Sequence, residues 1–159
     1  VALILTSPDG RTVLEEYVAK VKPEFIERAH WKALQVNGYT PEEWTDETCT
    51  PLAVVAQKIV DMAKNATLVA QNVSFDESFL TALLAKAGLK PTWHYHKVCT
   101  MVLAWPLYAM NKITGTSLVS LCEYFGIPPE PTVHRALNGA RTCRSVYLAE
   151  IEHYMRSAA

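Results

Sequence analysis

The stretch LVAQNVSFDESFL, residues 68–80, decides the fold, because a short apolar run of strand length passes in it straight into a helical pattern. In SFDESFLTALLAKAG, residues 74–88, Ser74 and Glu77 have the spacing of a capping box. Phe75, Phe79, Leu83 and Ala87 recur at helical period, and Gly88 marks the stop. Such strand-to-helix units build α/β domains, whose ligands gather at the carboxyl ends of the strands. Asp76 falls at that place, in the first helical turn, where the helix dipole favours an ionised carboxylate. That suits a metal ligand, although taken alone Asp76 reads more simply as a surface aspartate complementing the dipole.

Outward from this unit, VALILT (1–6), SPDGR (7–11) and TVLEEYVAKV (12–21) read as strand, turn and strand, with Asp9-Gly10 turning the hairpin. Residues 23–44 form an irregular segment with a short helix. Thr50 as N-cap and Pro51 at the first position open a helix with Leu52, Val55, Ala56, Ile59 and Ala63 as its buried stripe. HYHKV (94–98) reads as a strand, and Pro106 breaks the helical run at residues 100–112. Ser117 caps LVSLCEYFG (118–126), and IPPEPT (127–132) is a stiff connector. The last helix spans about residues 135–156, with Leu137, Ala140, Cys143, Tyr147, Ile151 and Tyr154 along one side. The pattern predicts one α/β domain over residues 1–159 with a mixed sheet and no internal linker.

The 159 residues are 50% apolar and 19% charged, which excludes a disordered or collagenous chain. A net charge of -1 supplies no global field toward polyanions, so any nucleic-acid site must be local. Cys49, Cys99, Cys122 and Cys143 lie too far apart for a zinc ribbon or disulfide framework and read as reduced thiols of a cytoplasmic protein. No run is apolar enough over about 18 residues to predict a membrane span. VALILT reads as a strand that begins mid-protein, so the expectation is a domain truncated at its N-terminus.

His134 follows the proline-rich connector and precedes the last helix, a place from which its ring could project into a cleft as a general base; alone it reads equally as a capping or surface histidine. Taken together, LVAQNVSFDESFL and LCEYFGIPPEPTVHRALNGARTCRSVYL (121–148) resemble the second and third motifs of the DEDDh 3′-to-5′ exonucleases. That superfamily includes polymerase proofreading subunits and RNase T. VKP (21–23), ALQVNGYTPEEW (33–44) and LVSLCEYFGI (118–127) extend the resemblance over nearly the whole chain.

The resemblance implies a ribonuclease H-like fold and a hydrolase that cuts phosphodiesters at the 3′ ends of single-stranded DNA or RNA. It implies a pair of Mg²⁺ or Mn²⁺ ions about 4 Å apart as cofactor, and a DNA polymerase or a second copy as partner. Asp76 then corresponds to a metal carboxylate and His134 to the general base. Asn72 would orient the substrate strand, and Phe75 or Phe79 would support the motif from the core. The departures are as specific. The first motif, an Asp-x-Glu pair on a central strand ahead of the hairpin, has no counterpart here. The last carboxylate, five residues after the histidine, is replaced by Gly139, and neighbouring Asn138 points about 100° away around the helix. Cys99 stands where many relatives carry aspartate. The expectation is an exonuclease domain whose catalytic set is incomplete and whose hydrolysis is very weak, or an inactive one that binds nucleic acid or a protein partner through the old cleft.

Weaker signals remain. His94 and His96, alternating on a strand with Cys99 nearby, could hold zinc but read better as ordinary strand histidines. Arg141 and Arg144 could meet phosphate or simply be solvated. Trp31, Tyr39 and Trp44 could stack on bases or pack the irregular segment.

Overall fold

A computed structural model describes residues 1–131 and 134–157, the last of these by its backbone only. The opening hairpin pairs β1 (Ala2–Thr6) antiparallel to β2 (Val13–Val18), with Ala2 opposite Val18 and a bulge between Leu5 and Thr6. Gly10 turns it at φ 74°, where a side chain would also press on Tyr147, 3.1 Å from the Cβ position. The irregular segment holds the short helix α1 (Trp31–Val36) and leads to α2 (Leu52–Met62). Pro51 stands at the N-cap of α2, one residue later than expected, and Thr50 instead donates its backbone N–H to the Lys20 carbonyl at 2.8 Å. Val55, Ala56, Ile59, Met62 and Ala63 form the buried stripe of α2 and its C-cap.

Next, β3 (Leu68–Ala70) runs into α3 (Val73–Lys86), and β4 (Lys97–Cys99) pairs parallel to β3 with Leu68 opposite Lys97. The capping box does not form. Asn72 occupies the N-cap in the left-handed region and makes no side-chain cap bond, so Ser74 already lies inside the helix. Glu77 turns away to Lys97 and to the Trp93 indole N–H, 3.3 Å off. The helix is also rotated relative to the periodicity. Leu84 is fully buried with Leu80, Leu83 and Ala87 packed near it, whereas Phe75 and Phe79 are 59% and 63% exposed and tilt against each other at 4.8 Å.

Pro106 divides α4 (Thr100–Leu103) from α5 (Trp105–Ala109). Ser117 caps α6 (Leu118–Phe125) by accepting the Ser120 N–H at 3.2 Å, and Gly126 ends it at φ 66°. The long helix α7 (Ala136–Ser157) packs against β1, β3, α4 and α6. Two clusters make the core: Ala19, Val55, Ala56, Ile59 and Leu84 on one side, and Ala104, Leu107, Ile113, Leu121, Cys122 and Val146 on the other.

The mixed sheet is therefore present as an antiparallel and a parallel ribbon under one helix, with no ladder joining them among the described residues. The resemblance puts its first-motif strand between β1 and β3, and no run of the described residues is paired there. What ties the hairpin down instead is α7. Arg141 chelates the Glu16 carboxylate through two guanidinium nitrogens, and Arg144 donates to the Gly10 carbonyl at 2.9 Å and to that of Arg11. Both arginines are thus engaged in the fold rather than presented to phosphate. Arg144→Ala is expected to cost about 1–3 kcal/mol, the range for hydrogen bonds to a charged donor. Amide exchange should speed up in β1 and β2 and stay unchanged in α6; equal protection in the hairpin would contradict this anchoring.

Candidate nuclease site

The corner between β3 and α3 is fixed by Gln71, which the sequence reading passed over. Its amide donates to the Thr116 carbonyl at 2.7 Å, and its side-chain oxygen accepts the hydroxyl of fully buried Thr100 at 2.5 Å. Asn72 follows, exposed and at φ 59°, a conformation asparagine tolerates better than most residues. Asp76 sits one turn into α3, just beyond the carboxyl end of β3 as expected. Its side chain reaches solvent, yet desolvation by the protein around it shifts the carboxyl above its ordinary range, a shift its own backbone N–H only partly offsets. The shift runs against the helix dipole, which favours the ionised form: desolvation outweighs the helix N-terminus.

Facing this corner, Cys143 of α7 is buried, and burial pushes its thiol up to about 11; Thr100 and the Gln71 backbone bond it, and the Asp76 and Glu150 charges add to the rise. One turn earlier on α7 lies Gly139, and the His134 ring rests against it, with Cε1 3.1 Å from the Cβ position. Gly139, against which His134 rests, and Cys143, whose thiol senses the Asp76 charge, are thus one turn apart on α7, roughly 6 Å along its axis at 1.5 Å per residue. The His134 backbone N–H bonds the Val36 carbonyl at 3.1 Å, and Arg135 reaches Glu43 at 3.4 Å, which also holds Lys20 at 3.0 Å. The irregular segment thus carries the connector. Thr132 and Val133 of that connector lie outside the described residues.

Sequence reasoning also missed Glu130. Its carboxylate lies 2.8 Å from His134 Nδ1, and both residues line a cavity of about 250 Å³ with Leu118, Val119, Cys122 and Thr142. Asp76 is not among the residues lining it. A second missed acid, Glu150, is buried in α7.

The donor set does not fit a pair of divalent ions. Among the described residues no three of His, Cys, Asp and Glu gather to hold a metal, Asp76 is the one acid recognised from the family pattern, and Gly139 offers no ligand. Phe75, expected to brace the motif from the core, is exposed instead. His94 and His96 precede β4 in a turn, their rings 4.9 Å apart, and His94 Nδ1 accepts the His96 N–H at 3.2 Å, which occupies one of the nitrogens zinc would need. Trp31 is exposed beneath the Lys32 ammonium, while Tyr39 and Trp44 pack on each other at 6.0 Å. No described helix is long and apolar enough to cross a membrane.

A solved structure of exonuclease I is similar to this chain, with a TM-score of 0.76 at 17% identity. The match covers 93% of this chain and 35% of that one, so the chain spans about a third of the length of that protein. At this identity the likeness concerns the fold, which is α/β and ribonuclease H-like. Among curated proteins none matches the sequence. The family model described as exonuclease, RNase T, matches residues 1–147. With that match over most of its length, the chain belongs to the RNase T exonuclease family, within the DEDDh superfamily.

Proposed function

We propose that this domain is directed at the 3′ ends of single-stranded DNA or RNA, and that hydrolysis by these 159 residues is very weak. The observation that carries the reading is that both candidate residues relate to neighbouring turns of α7: the Asp76 charge at the β3–α3 corner acts on the Cys143 thiol, and His134 rests on Gly139 one turn away. In the family reaction a divalent metal pair supplies water activation and leaving-group stabilisation, and the residues here do not fit that pair. What these residues can do is bind and orient a strand end, Asn72 from the exposed corner and Phe75 as a solvent-facing ring beside Asp76. His134 would take a proton from an attacking water only where such a water is activated.

A second reading is an inactive member that binds nucleic acid or a protein partner, such as a polymerase or a second copy. Gly139 favours it, because it supplies no carboxylate and a side chain there would crowd the His134 ring. The first test is fluorescence anisotropy with a 5′-labelled single-stranded oligonucleotide, bearing either a free 3′ hydroxyl or a 3′ phosphate. The proposal expects binding that weakens roughly tenfold, about 1.4 kcal/mol, with the blocked end. Binding indifferent to the 3′ end would move the account to a general nucleic-acid surface, and no binding at all would move it to a protein partner.

A further inference from the structure

We propose that Glu130 is the positioning residue of His134, and that Gly139 is the seat the pair requires rather than simply a lost ligand. The inference rests on the reading of His134 as part of the candidate site. Three prolines, Pro128, Pro129 and Pro131, stiffen the connector around Glu130, whose side chain is only 17% exposed. Its Oε2 lies 2.8 Å from His134 Nδ1. An ionised carboxylate can only accept, so Nδ1 carries the hydrogen and Nε2 keeps its lone pair. The ring is thereby held in one tautomer and one orientation, with Nε2 as the basic atom.

Residue 139 completes the arrangement. A Cβ there would stand 3.1 Å from His134 Cε1 and 3.4 and 3.6 Å from the two Glu130 oxygens. Ring and carboxylate both lie over the bare backbone of α7, in the space a side chain at 139 would claim. The negative charge that the helix lacks at this position is thus brought within 3.6 Å of it from the connector. A side chain at 139 would crowd the His134 ring from the position in which Glu130 holds it. In place of a metal carboxylate, the chain carries a carboxylate that orients the histidine.

The test is the tautomer of His134, read by two-bond ¹H–¹⁵N correlation on ¹⁵N-histidine-labelled protein in alkaline solution, with His134→Gln assigning the signals. No substrate or metal is added, so absence of nuclease activity or of strand binding leaves the result untouched. The expected spectrum of the unmodified chain is the Nδ1–H pattern. Glu130→Leu should convert it to the Nε2–H pattern preferred by a free imidazole, and Glu130→Gln should retain the Nδ1–H pattern, because its amide oxygen still accepts. Gly139→Ala, which favours the helix and so preserves folding, should also lose the Nδ1–H pattern, since the methyl group displaces the ring. An Nε2–H pattern in the unmodified chain, or an unchanged one in Glu130→Leu or Gly139→Ala, would overturn the proposal.

Discussion

Glu150→Leu is expected to stabilise the protein by about 2–4 kcal/mol at pH 8 and to flatten the dependence of its stability on pH. Glu150 lies in α7 at 0% exposure, and neither carboxylate oxygen has a hydrogen-bond partner among the described residues. Burial pushes its pKa up from 4.5 to about 8. The folded protein therefore keeps a proton that the unfolded chain releases above about pH 4.5. Stability is full below that value and falls as pH rises, by up to about 1.4 kcal/mol per unit, until the folded group ionises. Beyond about pH 8 the full penalty remains. Cys143 and Tyr154, which sense the Glu150 charge, are themselves held above their ordinary ranges, chiefly by burial, and so stay neutral through this window. Urea titrations of both chains at several values from pH 5 to 9 would check this, and parallel stability curves for the two would contradict the buried, partnerless acid.

The second large effect separates two residues on the two overlapping apolar stripes of α3. Leu84→Ala should cost about 3–5 kcal/mol, because Leu84 is fully buried against Val55, Ala56 and Ile59. Phe79→Ala removes a larger side chain yet should cost about 1 kcal/mol or less, since Phe79 is mostly exposed and touches Phe75. Urea unfolding of the two variants decides the matter, and the opposite ranking would mean that α3 is turned with its phenylalanines inward.

That rotation shows where sequence periodicity stops being informative. The existence of α3, its start just after β3 and its end before Gly88 are legible, because a strand run, a glycine and apolar spacing are local signals. Which of two overlapping apolar stripes faces inward is set by the partners α2, β3 and β4, and both Phe75-Phe79 and Leu80-Leu84 have helical spacing. The capping box failed for a related reason: Asn72 takes the left-handed corner and starts the helix two residues before Ser74. Motif spacing singles out Asp76 and His134; the structure sets Asp76 at the β3–α3 corner, where its charge acts on Cys143, and His134 against Gly139 of α7. Glu130, Gln71 and Glu150 are not singled out, because their partners are 4, 29 and 45 residues away or absent, and nothing local marks them. Arg141 and Arg144 have the look of phosphate ligands in sequence, and only the folded hairpin reveals that they hold Glu16 and the turn carbonyls.

The central claim is that these residues carry the exonuclease fold without the metal carboxylates its reaction needs. Its most direct test is degradation of a 5′-labelled single-stranded DNA and an RNA of the same sequence in Mn²⁺, beside a chelator control and the His134→Ala variant. The account predicts no 3′-shortening ladder beyond a trace, at enzyme concentrations that saturate the oligonucleotide. A robust ladder that disappears both with chelator and in His134→Ala would contradict it, by showing that Asp76 and other residues of this chain suffice to hold the metal pair.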